Sequence, residues 1–527
     1  MSDLTYTWDQ AVVEETPAGP AQTWVEPSKR SIWQPLLLII PVLFAAGGYA
    51  GTAPLLTDLA FLVLTILCGV FLLAELMRFA ERFGIGGLIL YGGVLAWFCY
   101  DYFRFWFLGW LHHWPGPFTP EVVAKAAMYH MLFVLFMSIG IRFRTGRWLA
   151  RLITKLPEPN KPADYFVVMI VAQMIGLSGF IFFTSDRLYV TLYNQIVGGR
   201  GGNAITHWTV VGRTGNLNYS FGAYVAELLQ VGTGAAIVAA FCLVFLRQNI
   251  IKNIICALVW LLGLALAFGS GTRGAVVVVM LPMVFFVFIR YHVQAQELLH
   301  KYSIRAYIFV ACLLFLSVVI FQTQIRFRNQ GFEHVSLSSI SLSTVEGNEM
   351  FTSSLTGFMY VPEQHNFFYD SFPGETIIRP IPNFVIWALI APMPRAIWTS
   401  KPVDPSWKWY NAISTGRSTV GGGTTEGTTI SEGIVGYWYF RFGVAGVIEG
   451  GLFMGWLMGI VERALFNNGG RPLAFLCALA ISAWLFRTYR DADLQDLADA
   501  GVTMAGLALC VLGLRPFLGS GVSSAST

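Results

Sequence analysis

Runs of roughly 17–25 mostly apolar residues recur from one end of this chain to the other. Each is long enough to cross about 30 Å of hydrocarbon. Lipid offers a backbone no water to bond to, so each run must satisfy its own hydrogen bonds as a helix. Composition points the same way: 55% of the 527 residues are apolar and 12% are charged, against about 25% charged in a soluble domain. The mean hydropathy is +0.60. The expected fold class is an all-α polytopic membrane protein.

About twelve spans are expected. They fall near 32–50, 55–76, 84–108, 121–141, 164–184, 220–246, 250–269, 274–292, 305–322, 433–461, 472–487 and 499–517. The third is rich in aromatics and carries Asp101 and Arg104 toward one end. The short loops set the orientation. Arg78, Arg82, Arg142, Arg144, Arg147, Arg151, Lys155 and Lys161 share one side, with Arg247, Lys252, Arg290, Lys301, Arg305, Arg463, Arg471 and Arg515. The opposite short loops near 51–54 and 109–120 have no Lys or Arg. By the positive-inside rule the basic side is cytoplasmic, and both termini lie there. Residues 1–31 are polar, with Pro17, Pro20 and Pro27, and lack the basic start and apolar stretch of a cleavable signal. They read as a disordered cytoplasmic tail, and 518–527 as a second short tail.

Seven cysteines all fall in apolar segments without metal-ligand spacing, so neither disulfides nor zinc are expected. Two long connections face outward, 185–219 and 323–432. The second holds most of the polar chemistry. Trp387, Trp398, Trp407, Trp409, Tyr410 and the amphipathic stretch 376–391 suggest short interfacial helices over a cavity.

Within that loop, Pro394-Arg395 and Lys401-Pro402 flank Trp398. Arg offers a planar fork and Lys a point charge, a pair suited to a diphosphate. An interfacial anchor touching lipid phosphate is the alternative reading. The Gly/Thr stretch 421–431 lacks the Lys-Ser/Thr of a phosphate-binding loop, so nucleotide binding is unsupported. Glu432 and Arg441 lie nine residues apart at the start of the tenth span. That is two and a half helical turns, on opposite faces. Between the seventh and eighth spans, Gly269-Ser-Gly-Thr-Arg273-Gly274 allows a tight turn that aims Arg273 inward. Arg326 and Arg328 follow the ninth span, and Arg487, Arg490 and Asp491 close the eleventh. Outward cations run against the usual bias. Among the outward histidines (112, 113, 207, 334 and 365), His365 precedes the Arg395 segment. It suits a general base for a sugar hydroxyl, with Glu363, Asp370 and Glu432 as competitors.

These residues together resemble the Wzy-type O-antigen and exopolysaccharide polymerases. Pro394-Arg395, Lys401-Pro402, Glu432 and Phe442-Gly443-Val-Ala-Gly446 are similar to that family's Pro-Arg, Lys-Pro, Glu turn and Phe-Gly-x-x-Gly helix. Gly269-Ser-Gly-Thr-Arg273 is similar to its glycine-serine-arginine turn. The long Gly/Thr segment and the polar N-terminal tail depart from it.

The resemblance implies a GT-C-like fold in the bacterial inner membrane. A periplasmic catalytic loop at 323–432 would lie between spans 32–322 and 433–517. It implies metal-independent, cofactor-free inverting transfer of a glycan from undecaprenyl diphosphate onto another lipid-linked repeat unit. His365 and Glu432 would be catalytic. Arg273, Arg326, Arg328, Arg395, Lys401, Arg441, Arg487 and Arg490 would bind diphosphate or glycan. Membrane lipids, a chain-length regulator and a flippase are the implied partners, and nucleic acid is not. An O-antigen ligase shares donor and fold and differs in acceptor. A twelve-helix secondary transporter is the other alternative, but no internal repeat is visible and the charges gather at helix ends.

Overall fold

A computed structural model of the chain describes residues 30–51, 53–78, 84–107, 120–159, 161–184, 221–246, 248–269, 273–301, 433–467, 472–491 and 494–517. All regular structure among them is helical. In chain order the helices are α1 (Trp33–Leu37), α2 (Ile39–Ala50), α3 (Pro54–Met77), α4 (Ile85–Gly93), a π-helical turn (Val94–Cys99) and α5 (Tyr100–Phe107). Next come α6 (Pro120–Gly140), α7 (Arg147–Thr154), α8 (Asp164–Thr184), α9 (Phe221–Phe245), α10 (Ile250–Gly269) and α11 (Arg273–Lys301). The last three are α12 (Gly433–Phe466), α13 (Pro472–Asp491) and α14 (Leu494–Leu514).

Eight of the described helical stretches are long and apolar enough to cross a membrane, so this is a multi-pass membrane protein. Three shorter apolar stretches, Asp164–Gly179, Gly274–Arg290 and Ala500–Leu514, fall where further spans are expected. The expected ninth span, 305–322, lies outside the described residues.

Side-chain contacts fix each helix's direction. On α12, Gly451, Gly455 and Gly459 recur every four residues. A Cβ on them would fall 2.7, 2.1 and 2.7 Å from the carbonyl oxygens of Phe133 and Met137 on α6 and of Ile141 just past its end. Matching steps of four mean that α6 and α12 run parallel with their backbones almost touching, as small-residue stripes allow in lipid. Antiparallel neighbours show the reverse order. Glu75 and Phe71 on α3 meet Gly87 and Tyr91 on α4. Gly176 and Tyr165 on α8 meet Gly232 and Phe241 on α9. On α11, Arg290 donates to Val244 O of α9 and Phe286 packs on Phe475 of α13.

The bundle therefore has two distinct ends. One carries Arg30, Arg78, Arg142, Arg144, Arg147, Arg151, Lys155, Lys161, Arg463 and Arg515, and is called the basic end below. Lys301 belongs to that end and Gly443 to the far one, so the chain changes ends between them.

The basic end is tied by a buried ionic network. Arg30 donates to both oxygens of Glu75 at 3.3 Å and to Glu462. Gln34 donates to Glu75 at 3.4 Å and accepts from Arg142 at 2.6 Å. Arg142 also reaches Ser31 O at 2.8 Å and Ser138 Oγ at 3.0 Å. Among the described residues two carboxylates face two guanidiniums, the kind of pairing on which buried charges are tolerated. Burial works against the Arg30 charge, but Glu462 and Glu75 outweigh it and hold its pKa above the ordinary value. Gly86 and Gly87 make the space: a Cβ on Gly87 would strike Glu75 at 2.6 Å. Arg30, placed in the polar tail by sequence reading, is thus docked into the bundle. Nearby, Glu158 caps the start of α13, accepting the N–H groups of Leu473 at 3.0 Å and Ala474 at 3.2 Å.

Candidate functional site at the far end of the bundle

At the far end, α10 stops at Gly269 and the chain runs back as α11, beginning at Arg273. The next residue, Gly274, has no side chain for a specific reason. A Cβ there would lie 2.6 Å from both Cδ and Nε of Arg487, one turn before the end of α13. Arg487 is half-buried, its guanidinium carbon 5.0 Å above the Trp484 ring. Trp484 in turn packs with Val278 of α11 and Ala500 of α14. An arginine is therefore set against the first turn of a helix. That turn exposes backbone N–H groups and the positive end of the helix dipole. A guanidinium beside a helix N-terminus gathers positive potential, the kind of surroundings in which a phosphate group is held.

A second group forms around α12. Gly443 adopts φ 63° and ψ −146°, a region open essentially to glycine alone. A Cβ on Gly446 would lie 2.2 Å from Trp438 O, and one on Gly450 would lie 2.4 Å from Trp438 Cγ. Eight residues of straight helix would separate 438 from 446 by about 12 Å. Residues 433–441 therefore fold back along the membrane-crossing part, which begins at Phe442. The expected tenth span at 433–461 is corrected accordingly. Its first turns form a separate helical segment, because glycine at 443 permits a reversal that the hydropathy does not register. Gly433–Tyr439 are all buried. Irregular backbone at membrane depth is tolerated only where protein or a wet cavity surrounds it.

The folded-back segment presents aromatics to α6. Tyr439 stacks on Tyr129 at 4.9 Å, and Lys125 Nζ lies 5.2 Å over the Tyr439 ring. Close to the same end, the Tyr102 hydroxyl donates to Asp58 at 2.6 Å while its ring stacks on Phe61 at 3.7 Å. Asp101 is buried beside it. Tyr129 and Tyr439 are themselves buried, so their stack is packing between α6 and the folded-back part of α12.

Of the residues singled out from sequence, Arg273 and Arg487 sit on the two helices that Gly274 brings into contact. Arg441 lies in the folded-back segment of α12, and Arg490 in the last turn of α13. His365, Glu432, Arg326, Arg328, Arg395 and Lys401 lie outside the described residues, as do the aromatics and stretch 376–391 of the long loop. Sequence reading missed Lys125, Tyr129, Tyr439, Asp58 and Tyr102. Lys125 left a signal, a lone cation within an apolar run, where it costs about 2.5–3.5 kcal/mol to insert at mid-membrane. No family model, curated protein or solved structure matches the chain.

Proposed function

We propose that this protein is a membrane-embedded glycosyltransferase that polymerises oligosaccharide repeat units carried on undecaprenyl diphosphate. The observation that carries this reading is Arg487, seated against the first turn of α11 through Gly274. It gathers two sources of positive potential at one bundle end, next to Arg273. The break at Gly443 is the kind of irregularity found where a ligand enters the membrane.

In this reading, an acceptor hydroxyl attacks the anomeric carbon of the donor while the bond to the diphosphate breaks. The electron pair passes to the bridging oxygen. Arg273, Arg395 and Arg487, with Lys401, stabilise the charge that develops there. A base takes the hydroxyl proton, with His365 as first choice and Glu432 as second. A single displacement inverts the anomeric configuration. A twelve-span GT-C-like architecture, inner-membrane location, inside termini and an outward loop at 323–432 belong to the same proposal. The change of ends between Lys301 and Gly443 supports them.

A ligase would use the same donor and differ only in acceptor. A secondary transporter draws support from the buried Glu75–Arg30–Glu462 network, since intramembrane carboxylates often carry coupling ions. That network sits at the helix ends and is already charge-balanced, so we prefer the enzyme. Cysteine labelling at position 420 tests the sidedness: modification from the outside is expected, and modification only from the cytoplasm would refute the site.

A further inference from the structure

Outside the far-end site, the strongest unassigned feature is α7 at the basic end. Its sequence, Arg147-Trp-Leu-Ala-Arg-Leu-Ile-Thr154, is short, amphipathic and cationic. Ala150 is fully buried, and Leu149 and Ile153 pack against the core. The opposite face carries Trp148, Arg151, Leu152 and Lys155, spaced by three and four residues so that they form one stripe. Phe143 and Arg144 extend the stripe back before the helix, where an open cleft of about 500 Å³ is lined by Phe143, Arg144 and Thr145. Trp148 is 63% exposed and Leu152 52%. Apolar groups of that size facing water would be costly, and cations facing hydrocarbon would be costlier still. Only the boundary between acyl chains and headgroups suits both at once.

The stripe is also held rigidly. Gly146, at φ 83°, turns the chain into α7, with Trp456 and Ile460 of α12 filling the space where a Cβ would sit. The Trp456 indole donates to Thr145 O at 3.0 Å, and Arg463 reaches the same oxygen at 3.4 Å. A preformed surface loses less entropy when a ligand settles on it.

We propose that this face of α7 is a binding site for anionic phospholipid at the basic side of the membrane. Phe143, Trp148 and Leu152 lie against acyl chains, while Arg144, Arg151 and Lys155 engage the phosphate. The site is independent of the reaction at the far end. Charge complementarity carries the choice of occupant, because a cation near an anionic bilayer surface contributes about fivefold in affinity.

Native mass spectrometry of the delipidated, detergent-purified full chain, titrated with phosphatidylglycerol or phosphatidylcholine, tests the proposal. Phosphatidylglycerol should be retained preferentially. The variant Arg144→Gln/Arg151→Gln/Lys155→Gln should lose about a hundredfold in phosphatidylglycerol affinity and with it most of the preference over phosphatidylcholine. Arg144→Gln alone should lose about fivefold, and Arg144→Lys/Arg151→Lys should retain most of the preference. Equal retention of the two lipids, or an unchanged preference in both the triple and the single glutamine variants, would overturn it. So would displacement of the lipid by an equal concentration of glycerol phosphate, or a second copy of the chain occupying this face.

Discussion

Replacing Arg30 by alanine should be among the most damaging single changes at the basic end. The side chains of Arg30, Glu75 and Glu462 are 6%, 0% and 3% exposed, so solvent screens them little. Among the described residues the network holds two cations, Arg30 and Arg142, against two carboxylates. Loss of Arg30 leaves one buried negative charge in excess, and removing one partner of a buried pair typically costs about 3–5 kcal/mol. Adding Glu462→Gln restores the balance, and the double variant should recover much of the loss. Coupling energies of about 0.5–3 kcal/mol are usual for side chains in direct contact. The six described cysteines are free and buried, so a thiol-reactive dye reports unfolding of the detergent-purified protein on heating. An Arg30→Ala protein within about 0.5 kcal/mol of the parent, or a double variant as unstable as the sum of the two singles, would show that the network does not hold this end together.

The helix contacts give a paired test. Gly455→Val should abolish folding, because its Cβ would meet Met137 O at 2.1 Å, whereas Gly501→Ala, with nothing within 4 Å, should be silent in yield and thermal stability. Gly443→Ala should cost about 1–3 kcal/mol, since alanine rarely adopts that backbone; the dye assay reads it. Arg273→Ala and Arg487→Ala should each lower polymerisation roughly tenfold to more than a hundredfold at matched expression, scored from product length on gels. His365→Ala should lower the rate by about 10²- to 10⁴-fold if that side chain is the base, and NMR of the new linkage should show inversion.

Most of the architecture was legible because hydropathy records where lipid lies. Span 164–184 matches α8 residue for residue, and 220–246 matches α9 within one residue at each end. Hydropathy does not record where helices stop. The eighth span was expected to end at 292, yet α11 continues to Lys301 through polar residues that helix formation accepts and lipid does not. Nor does it record backbone reversal, as Gly443 shows, or the π-helical turn at Val94–Cys99. The ionic network was illegible for a different reason. Its partners lie 45 and 432 residues apart, and nothing local in the sequence pairs Arg30 with Glu75 or Glu462. The contact between Gly274 and Arg487 was hidden likewise, although both belong to motifs that the sequence did single out.

If the protein joins lipid-linked repeat units, as proposed, the glycolipids of cells from which it has been removed should show it. Single repeat units should accumulate on undecaprenyl diphosphate, with polymer restored by the parent protein and not by Arg273→Ala. Long polymers stranded on the lipid carrier, or polymer of normal length, would contradict it.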